Sequence, residues 1–379
     1  MNYIERHVSD SVFESLQPGK VILLTGARRT GKTHLIKHLS TRIEENKLML
    51  NGEDSTDCDL FEPLSKENYK LNFGSYQYIF IDEAQMMPEV GKKLKFLVDN
   101  LPEVKVLATG SSAFNLHQQF GQPLTGRKKT FHLYPISVQE FRWHENINET
   151  QGRLNDRLIY GSYPELTGLN SRQLKEDYLH ELGNDYLFKD ILAFDGIKNA
   201  DIVRNLLRLI AFQTGHEISL NELSRQLQIH KDTVARYLDL LSKVFVIFKL
   251  EGFSKNLRKE ITKMSRWYFY DNGVRNLLLR NFTPVDLRND TGQLWENYII
   301  SERVKYLSYQ GMHHACYFWR TYDQQEIDWI EEHNQELHAY EMKWNPKRQV
   351  KAPASWKKAY PDAKFDVINP KNYLGWLSQ

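Results

Sequence analysis

The fold of this chain is decided by residues 21–33, which read Val-Ile-Leu-Leu-Thr-Gly-Ala-Arg-Arg-Thr-Gly-Lys-Thr. The run Val21–Thr25 is mostly apolar, which predicts a short buried strand. The run Gly26–Thr33 has the form G-x-x-x-x-G-K-T, whose two glycines let the backbone amides curl towards a phosphate group. A helix that begins near Lys32 would add the positive end of its dipole. The stretch therefore predicts a strand, a phosphate-binding loop (P-loop) and a helix in direct succession.

All eight residues of this loop are candidate nucleotide-binding residues. They are Gly26, Ala27, Arg28, Arg29, Thr30, Gly31, Lys32 and Thr33. In loops of this form the lysine reaches the β- and γ-phosphates and the last hydroxyl holds Mg²⁺. The sequence assigns these roles to Lys32 and Thr33. The motif itself predicts binding of ATP or GTP with Mg²⁺, because no motif that would read the base is visible.

A pair of acidic residues follows a later apolar strand. Tyr78–Ile81 is apolar throughout and is followed by Asp82 and Glu83. Such a pair is by itself more typical of a solvated turn. Here it follows a phosphate-binding loop in the order that hydrolytic nucleotide sites use. We therefore expect Asp82 to coordinate Mg²⁺ through water and Glu83 to orient and deprotonate the attacking water.

Three further residues are candidates for contact with the γ-phosphate. Thr109 and Ser111 lie at the end of the predicted strand Val104–Thr109, where a polar side chain could sense that phosphate. A plain strand-ending turn explains each of them equally well. Arg127 is a candidate catalytic arginine that would contact a phosphate of the same subunit or of a neighbour in a homo-oligomer. The alternative for Arg127 is an ordinary surface arginine.

The pattern around these motifs predicts an α/β fold with a doubly wound parallel sheet. Short β-rich runs alternate with helical patterns through residues 21–135. The predicted strands are Val21–Thr25, Lys47–Asn51, Gln77–Ile81, Val104–Thr109 and Lys129–Tyr134, and the predicted helices include Thr33–Glu45 and Val90–Asn100. Nearly continuous apolar runs are typical of parallel strands that are covered on both faces, and the alternation is typical of α/β proteins.

The middle of the chain predicts helices followed by a winged helix. Residues 136–200 have helical patterns that a turn at 161–164 interrupts. Three helices and two strands then follow: Ile202–Thr214, Ser219–Gln228, Lys231–Leu241, Val244–Leu250 and Trp267–Tyr270. Three helices and a β-hairpin are the plan of a winged helix-turn-helix.

The third of these helices carries candidate DNA-binding residues. They are Lys231, Thr233, Arg236 and Tyr237. We expect them at the start or on the outer face of the helix, where such side chains contact phosphates and base edges in a major groove. The alternative is a lid or a protein-contact module, and Asp232 and Asp239 also reduce the positive field. DNA and a protein partner therefore both remain open.

The C-terminal region carries a second candidate site. A predicted helix, Gln293–Leu307, is followed by three strands, a helix and the strand Lys364–Ile368. The candidate residues are Glu296 on the helix, Asp328 on the second strand, and Glu341 and Lys343 on the third. Because side chains alternate along a strand, Glu341 and Lys343 face the same side. Carboxylates can hold Mg²⁺ against a scissile phosphate while a lysine positions the water. The spacing alone is a weak signal, since Glu-x-Lys recurs elsewhere in the chain.

Residues 1–290 resemble a bacterial and archaeal group of predicted AAA+ superfamily ATPases. The resemblance rests on the loop at 26–33 and on later motifs in the same order: Phe-Ile-Asp-Glu-Ala-Gln at 80–85, Thr-Gly-Ser-Ser at 109–112, Leu-Thr-Gly-Arg at 124–127, Leu-Tyr-Pro-Ile-Ser at 133–137 and Gly-Ser-Tyr-Pro-Glu at 161–165. It implies a P-loop NTPase sheet of the additional-strand (ASCE) type and ATP as the nucleotide. It also supports a winged helix in the middle of the chain.

The order of elements after Thr291 resembles the restriction-endonuclease-like α/β fold, with a PD-(D/E)xK-type residue pattern. In the family, a module of this kind is commonly attached to such ATPases. The resemblance implies the fold of a nuclease. It leaves open whether the module cuts DNA or serves as a binding surface.

Composition excludes several classes of protein. Hydrophobic residues make up 41% and charged residues 26% of the chain, which is typical of globular proteins. The net charge is only +2, so any role with nucleic acid depends on a local basic face. Cys58 and Cys316 lie far apart, so we expect neither a disulfide framework nor a cysteine metal site, and a reducing cytoplasm is the expected compartment. The start of the chain lacks the plan of a signal peptide, and no apolar run approaches the ~18 residues of a membrane span.

We therefore expect a chain of four modules that act together. They are a P-loop AAA+ ATPase domain (1–140), a helical lid or connector (141–200), a winged helix-turn-helix (201–285) and a restriction-endonuclease-like domain (286–379). The leading hypothesis is an ATPase that couples its nucleotide state to a DNA- or protein-binding module. The alternatives are an ATP-gated, metal-dependent DNA nuclease and a non-catalytic, nucleotide-switched scaffold.

Overall fold

The computed structural model describes residues 3–110, 124–183, 199–254 and 265–378. They form two compact units, each with its own β-sheet. Unit 1 comprises residues 1–136 and 243–245, and unit 2 comprises residues 137–242 and 246–379. The expected end of the ATPase domain at residue 140 thus lies close to the end of the main segment of unit 1.

Unit 1 is built on a parallel sheet with the strand order β2-β3-β4-β1-β5. The strands are β1 Val21–Thr25, β2 Lys47–Asn51, β3 Tyr78–Asp82, β4 Lys105–Gly110 and β5 Lys128–His132. The helices are α1 Val8–Glu14, α2 Lys32–Thr41, α3 Ser55–Asp59, α4 Lys66–Phe73 and α5 Val90–Asn100. The central strands β1, β3 and β4 are almost fully buried, as their apolar sequences predict.

The position of β4 makes this a sheet of the additional-strand type. β4 lies between β1, which leads into the P-loop, and β3, which ends at Asp82. In a parallel sheet the carboxyl ends of all strands meet at one edge. That edge brings the P-loop, Asp82 and the end of β4 together. The predicted α/β fold with a parallel P-loop NTPase sheet is confirmed, and the predicted strands differ from the observed ones by two residues at most.

Unit 2 begins with four short helices. They are α6 Val138–Arg142, α7 Ile147–Gly152, α8 Leu154–Tyr160 and α9 Arg172–Glu181. The first two begin with capping boxes, in which Ser137 pairs with Glu140 and Asn146 pairs with Glu149. Each box satisfies backbone amides that the first turn of a helix leaves unpaired. These caps explain why such short helices form where the sequence predicts helical structure.

Helices and strands alternate in the next part of unit 2. The elements are α10 Ala200–Phe212, β6 Glu217–Ile218, α11 Leu220–Leu227, α12 Lys231–Lys243, β7 Ile247–Gly252, β8 Ser265–Phe269 and α13 Asn272–Leu279. β8 pairs antiparallel with both β6 and β7. The three helices and the hairpin lie where the sequence predicts them. The two-residue strand β6 is additional to the prediction.

The C-terminal elements extend the same sheet. They are α14 Thr291–Tyr309, β9 Ala315–Arg320, β10 Glu326–His333, β11 Glu336–Met342, α15 Ala354–Ala359, β12 Lys364–Ile368 and α16 Tyr373–Trp376. The sheet has the order β12-β11-β10-β9-β7-β8-β6, because β7 pairs with β9. One sheet therefore crosses the expected boundary at 285/286.

A pair of glycines lets α8 and α13 approach each other closely. Gly161, with φ 81°, ends α8. Asp271 caps α13 by accepting a 2.8 Å hydrogen bond from the Gly273 amide, and it also accepts one of 2.7 Å from the Ser162 amide. A Cβ atom on Gly161 would come 2.0 Å from Asp271 Oδ1, and one on Gly273 would come 2.0 Å from the Tyr160 carbonyl oxygen. Both positions thus require glycine for steric reasons.

In the described parts of the chain, no helix is both long and apolar enough to cross a bilayer. The longest of these helices, α14, carries Glu296, Glu302 and Arg303 within its 19 residues.

Candidate active site

The P-loop joins β1 to α2 at the carboxyl edge of the sheet of unit 1. A Cβ atom on Gly26 would come 2.1 Å from the Leu133 carbonyl oxygen, so a larger residue would displace backbone. Gly31 has φ 98° and immediately precedes α2. Side chains other than glycine rarely adopt that conformation. The two glycines of the motif are thus required for different reasons, one for close packing and one for backbone conformation.

Lys32 lies folded over the loop. Its side chain is buried, and Nζ donates hydrogen bonds to the carbonyl oxygens of Gly26 (3.0 Å) and Ala27 (2.9 Å). The Thr30 hydroxyl donates to the Ala27 carbonyl oxygen as well, at 2.8 Å. The loop therefore holds the lysine ammonium group close to the backbone that is predicted to surround the phosphates.

Arg6 links the P-loop to the segment that follows β5 through two hydrogen bonds. Its guanidinium donates to the carbonyl oxygens of Thr30 and Tyr134, each at 2.6 Å, and the residue is only 4% exposed. We did not predict a role for Arg6. Its partners are 24 and 128 residues away in the sequence, so no local pattern distinguishes it from a surface arginine.

The acidic residue of β3 links the two motifs. Thr33 Oγ1 donates a 2.7 Å hydrogen bond to Asp82 Oδ2, and the Thr109 hydroxyl donates to Asp82 Oδ1. Hydroxyl and carboxylate oxygens are the ligands that Mg²⁺ prefers, with water and phosphate oxygens completing its shell. Thr33 and Asp82 therefore fit the Mg²⁺ that accompanies a bound nucleotide.

Glu83 is held in an unusual backbone conformation beside this group. Its φ of 47° lies in the left-handed region, which costs roughly 1–3 kcal/mol for a non-glycine residue and is concentrated at functional sites. The Glu83 amide donates to Thr109 Oγ1 at 3.0 Å, and the Gln85 side-chain amide donates to the Glu83 carboxylate. Thr109 and Gln85 thus fix both the backbone and the side chain of the predicted base. We did not predict the role of Gln85, although it lies within the acidic motif.

Ser111 and Arg127 are the other two residues that the sequence predicts to contact a phosphate. Ser111 lies outside the described residues. Arg127 directly precedes β5, and its carbonyl oxygen accepts a 2.8 Å hydrogen bond from the Val21 amide. Val21 begins β1 whereas the P-loop follows the end of β1, so Arg127 lies at the opposite edge of the sheet and pairs there with Asp99 at 2.6 Å. The structure does not bring Arg127 to the P-loop of its own subunit, which leaves only the role in a neighbouring subunit as a prediction.

Comparison with known proteins agrees with this geometry. Residues 18–142 match the model of a family described as "AAA domain". The chain is also similar in fold to the Walker-type ATPase of Pyrococcus abyssi, with a TM-score of 0.51 and 14% identity over 73% of this chain and 96% of that one. Residues 18–142 form a AAA domain of the AAA+ superfamily. The resemblance to AAA+ superfamily ATPases is thereby confirmed.

The regions after the AAA domain match families without an assigned function. Residues 151–285 and 291–374 match two domains of unknown function, DUF8612 and DUF4143. The chain is 25% identical to an uncharacterized protein of Methanocaldococcus jannaschii over 94% of this chain and 82% of that protein. An uncharacterized protein of Mycobacterium tuberculosis is likewise 25% identical, over 87% of this chain and 71% of its own length.

Beyond the AAA domain, unit 2 brings the predicted carboxylate-site residues together. Lys343 Nζ lies 2.5 Å from Glu341 Oε1 and 3.8 Å from Asp328 Oδ2. Asp328 and Glu341 are buried, and Glu296 reaches the same cluster from α14. These four positions, from one helix and two strands, are therefore neighbours in the fold, as the sequence pattern predicts.

Arg266 of β8 occupies the middle of this cluster. Its Nη1 lies 3.4 Å from Asp328 Oδ1 and 3.8 Å from Glu296 Oε1, and its Nη2 lies 2.7 Å from Glu326 Oε2. Only 2% of Arg266 is exposed. We did not predict either Arg266 or Glu326. Arg266 precedes Asp328 by 62 residues, and only the pairing of β7 with β9 places β8 in this sheet.

The cluster shifts the proton affinities of its members. Burial, assisted by the charge of Asp328, raises the pKa of Glu296 to about 8 and that of Glu341 to about 7. Burial by itself would lower the pKa of Lys343. The negative charges of Asp328 and Glu341 more than offset this effect, so the pKa of Lys343 is raised. The cations therefore stay charged at neutral pH, while burial favours the protonated forms of Glu296 and Glu341.

A divalent metal ion does not fit this cluster. Mg²⁺ requires oxygen ligands at about 2.1 Å in a near-octahedral arrangement. Here Arg266 and Lys343 already face the carboxylates. In the part of the chain that the structure describes, no group of three or more His, Cys, Asp or Glu side chains could hold a metal ion. The structure therefore does not support the predicted metal site of a nuclease.

The predicted DNA-binding residues of α12 do not all face outward. Lys231 and Arg236 are exposed, and Thr233 is half-buried. Tyr237 is buried, with 4% of its surface exposed, because the helix packs this side against the core together with Val234 and Leu238. The prediction that Tyr237 faces outward is corrected: it is a core residue.

Proposed function

We propose that this chain is a Mg²⁺-dependent ATPase whose nucleotide state controls how its downstream modules bind DNA or a protein partner. The observation that carries the proposal is the hydrogen-bonded group of Thr33, Asp82 and Thr109 at the carboxyl edge of the sheet, beside the P-loop. It supports hydrolysis because it joins metal-binding oxygens to the backbone of Glu83, the candidate base.

The roles of the residues follow from their positions. The loop amides and Lys32 bind the β- and γ-phosphates, and Thr33 with Asp82 holds Mg²⁺, which neutralises phosphate charge when bound. Glu83 accepts a proton from the attacking water, whose oxygen forms a bond to the γ-phosphorus as the bond to ADP breaks. Thr109 and Gln85 position Glu83 for this step. ATP is favoured over GTP by the family resemblance.

The coupling part of the proposal rests on the helices and hairpin of unit 2. The order α10, β6, α11, α12, β7, β8 is that of a winged helix. An open groove beside α12 is lined by Lys231 and Lys249 together with Trp267. These cations and the exposed Arg236 suit the phosphates of DNA. Asp232 and Asp239 are exposed on the same helix and reduce its positive charge. A protein partner is therefore the second candidate ligand of this surface.

An ATPase assay with two variants tests the hydrolytic site. Lys32→Ala should abolish nucleotide binding, because the phosphates lose their cation. Glu83→Gln should keep binding and lose turnover, because the amide cannot accept the proton from water. Binding of a fluorescent ATP analogue and release of phosphate measure the two effects separately. Normal hydrolysis by Glu83→Gln would show that Glu83 is not the base.

A second assay tests the coupling. Turnover is measured with and without duplex DNA over a range of salt concentrations, since contacts to phosphates weaken as salt increases. We expect DNA to stimulate wild-type turnover and the double variant Lys231→Ala/Arg236→Ala to lose the stimulation while keeping basal turnover. If DNA has no effect on turnover and a stable protein partner is recovered instead, a protein is the partner of these modules. If the chain binds ATP without turnover and recovers a protein partner, the non-catalytic scaffold alternative is supported.

A further inference from the structure

The backbone of β8 fixes Arg266 within the carboxylate cluster. Arg266 is paired with Leu250 of β7 on one side and with Glu217 of β6 on the other. Its guanidinium carbon lies 4.6 Å from the centre of the Phe318 ring, which closes one side of the site. Strand pairing on both sides fixes the backbone of Arg266, and burial of its side chain against Phe318 holds the guanidinium within the cluster.

The oxygens of the cluster are already used by groups of the protein. Asp328 Oδ1 faces Arg266, while Oδ2 accepts a 2.9 Å hydrogen bond from the Met342 amide and lies 3.8 Å from Lys343. Glu296 Oε1 accepts a 2.8 Å hydrogen bond from the buried Tyr268 hydroxyl. At both Asp328 and Glu296, a metal ion would have to compete with a cation and with a hydrogen-bond donor.

A glycine lies against the Glu296 side of the cluster. Gly215 has φ 80°, and a Cβ atom at this position would come 2.7 Å from Glu296 Oε1. The backbone therefore lies directly against the carboxylate of α14. Together with Tyr268 and Phe318, it leaves the centre of the cluster to the guanidinium.

We propose that Arg266 takes the position of a metal ion in this centre, so that the C-terminal module has an ion cluster filled by a guanidinium group instead of a metal-dependent nuclease site. The guanidinium bridges α14, through Glu296, and β10, through Glu326 and Asp328. The cluster thus holds the hairpin strand β8 to the C-terminal elements of unit 2. It is independent of the proposed ATPase, because its residues all lie outside the AAA domain.

Manganese binding tests this proposal in nucleotide-free protein that comprises residues 1–379. Every protein carries Lys32→Ala, so that the P-loop does not contribute through residual nucleotide. Bound Mn²⁺ is measured by electron paramagnetic resonance, and melting temperature is measured with and without Mn²⁺. We expect no saturable Mn²⁺ binding that depends on Asp328, so Asp328→Asn should leave both the bound Mn²⁺ and the response of the melting temperature unchanged. Saturable binding that Asp328→Asn removes would overturn the proposal.

Removal of the guanidinium provides the converse test. Arg266→Ala removes the guanidinium that Glu296, Glu326 and Asp328 share, so the melting temperature of this variant should fall and added Mn²⁺ should raise it again. The matched control is Arg157→Ala, because Arg157 is also a buried arginine of unit 2 and pairs at 2.5 Å with Glu145, which does not belong to the cluster. Mn²⁺ should not change the melting temperature of that control. A folded Arg266→Ala variant that gains no response to Mn²⁺ would contradict the proposal.

Cleavage of DNA gives a readout that does not depend on the folding of Arg266→Ala. Plasmid is incubated with the wild-type chain and Mg²⁺ or Mn²⁺, beside Asp328→Asn and Lys343→Ala. We expect the wild-type chain to produce no more nicked plasmid than either variant. Metal-dependent nicking that both variants lose would overturn the proposal and restore the nuclease hypothesis.

Discussion

Thr109 joins the predicted metal ligand to the predicted base. Its hydroxyl donates to Asp82 and accepts from the Glu83 amide at 3.0 Å, and the residue is fully buried. Thr109→Val keeps the shape of the side chain but removes both hydrogen bonds. We expect ATP turnover to fall by roughly 100-fold, the effect of displacing a catalytic group by about 1 Å. The free energy of unfolding should fall by about 1–3 kcal/mol, because the half-buried Glu83 amide and Asp82 both lose their hydrogen bond to the hydroxyl.

The matched control for this change is Thr109→Ser, which keeps the hydroxyl group. It should retain most of the turnover and most of the stability. Phosphate release and urea unfolding measure the two quantities on the same preparations. Wild-type turnover in Thr109→Val would show that Asp82 and Glu83 do not depend on this link.

The stability of the chain should depend on the protonation of Glu296. Burial and the charge of Asp328 raise the pKa of Glu296 from 4.5 to about 8, so the folded state binds a proton that the unfolded state releases between these values. The free energy of unfolding should therefore fall as pH rises from about 5 to 8, with a slope of up to about 1.4 kcal/mol per pH unit from this group. Glu296→Gln keeps an acceptor for Tyr268 and carries no charge, so it should flatten this dependence.

Urea unfolding at pH 5.5 and pH 8.5 checks this expectation. Glu336→Gln serves as the control, because Glu336 is exposed at the start of β11, away from the cluster. It should keep the wild-type pH dependence. A Glu296→Gln variant that loses as much stability as the wild type between these pH values would show that Glu296 does not titrate in this range.

Residues within one contiguous motif could be predicted from the sequence, whereas their supports could not. The roles of Lys32 and Thr33 follow from eight adjacent residues, since the loop is formed by local backbone. Arg6 and Arg266 act on residues far away in the sequence, and only the folded sheets bring them there. Tyr237 shows the opposite error, because a polar residue type on a helix does not reveal which face packs inward.

At the level of elements, the contact between α8 and α13 depends on glycine. Gly161→Ala would place a Cβ atom 2.0 Å from Asp271 Oδ1 in a residue with φ 81°. Both the clash and the backbone conformation oppose the substitution. We expect the free energy of unfolding to fall by about 3 kcal/mol or more. Urea denaturation measures this change when it is followed by a signal from unit 2, such as tryptophan fluorescence.

Gly152→Ala is the matched control for this prediction. Gly152 ends α7, and a Cβ atom there would meet nothing within 4 Å. Because alanine restricts the unfolded chain more than glycine does, this variant should be unchanged or more stable by about 0.4–1 kcal/mol. Equal effects of the two substitutions would contradict the steric argument for Gly161.

The elements of unit 1 are easier to predict than those of unit 2 for a physical reason. Its central strands β1 and β3 are apolar up to their last residue, so composition alone locates them. β6 has only two residues, and it is a strand because β8 provides its partner. The order of α12, β7 and β8 could be predicted, but not the pairing of β7 with β9. That pairing merges two expected domains into one sheet, because a hydrophobic pattern shows that a strand is buried and not which strand lies beside it.

For the whole molecule, the proposed coupling predicts a change in unit 2 when nucleotide binds in unit 1. Hydrogen exchange of the Glu83→Gln variant is compared with and without ATP and Mg²⁺, since this variant should hold ATP unhydrolysed. Beyond protection of the P-loop, we expect exchange in residues 219–252, which include α11, α12 and β7, to change. A coupling free energy of about 1–3 kcal/mol corresponds to a roughly 5- to 150-fold change in the opening equilibrium. Lys32→Ala should show neither change. Protection confined to residues 1–136 would mean that the nucleotide acts on the AAA domain alone, and the ATPase would then have to signal by another route, such as assembly with a neighbouring subunit at Arg127.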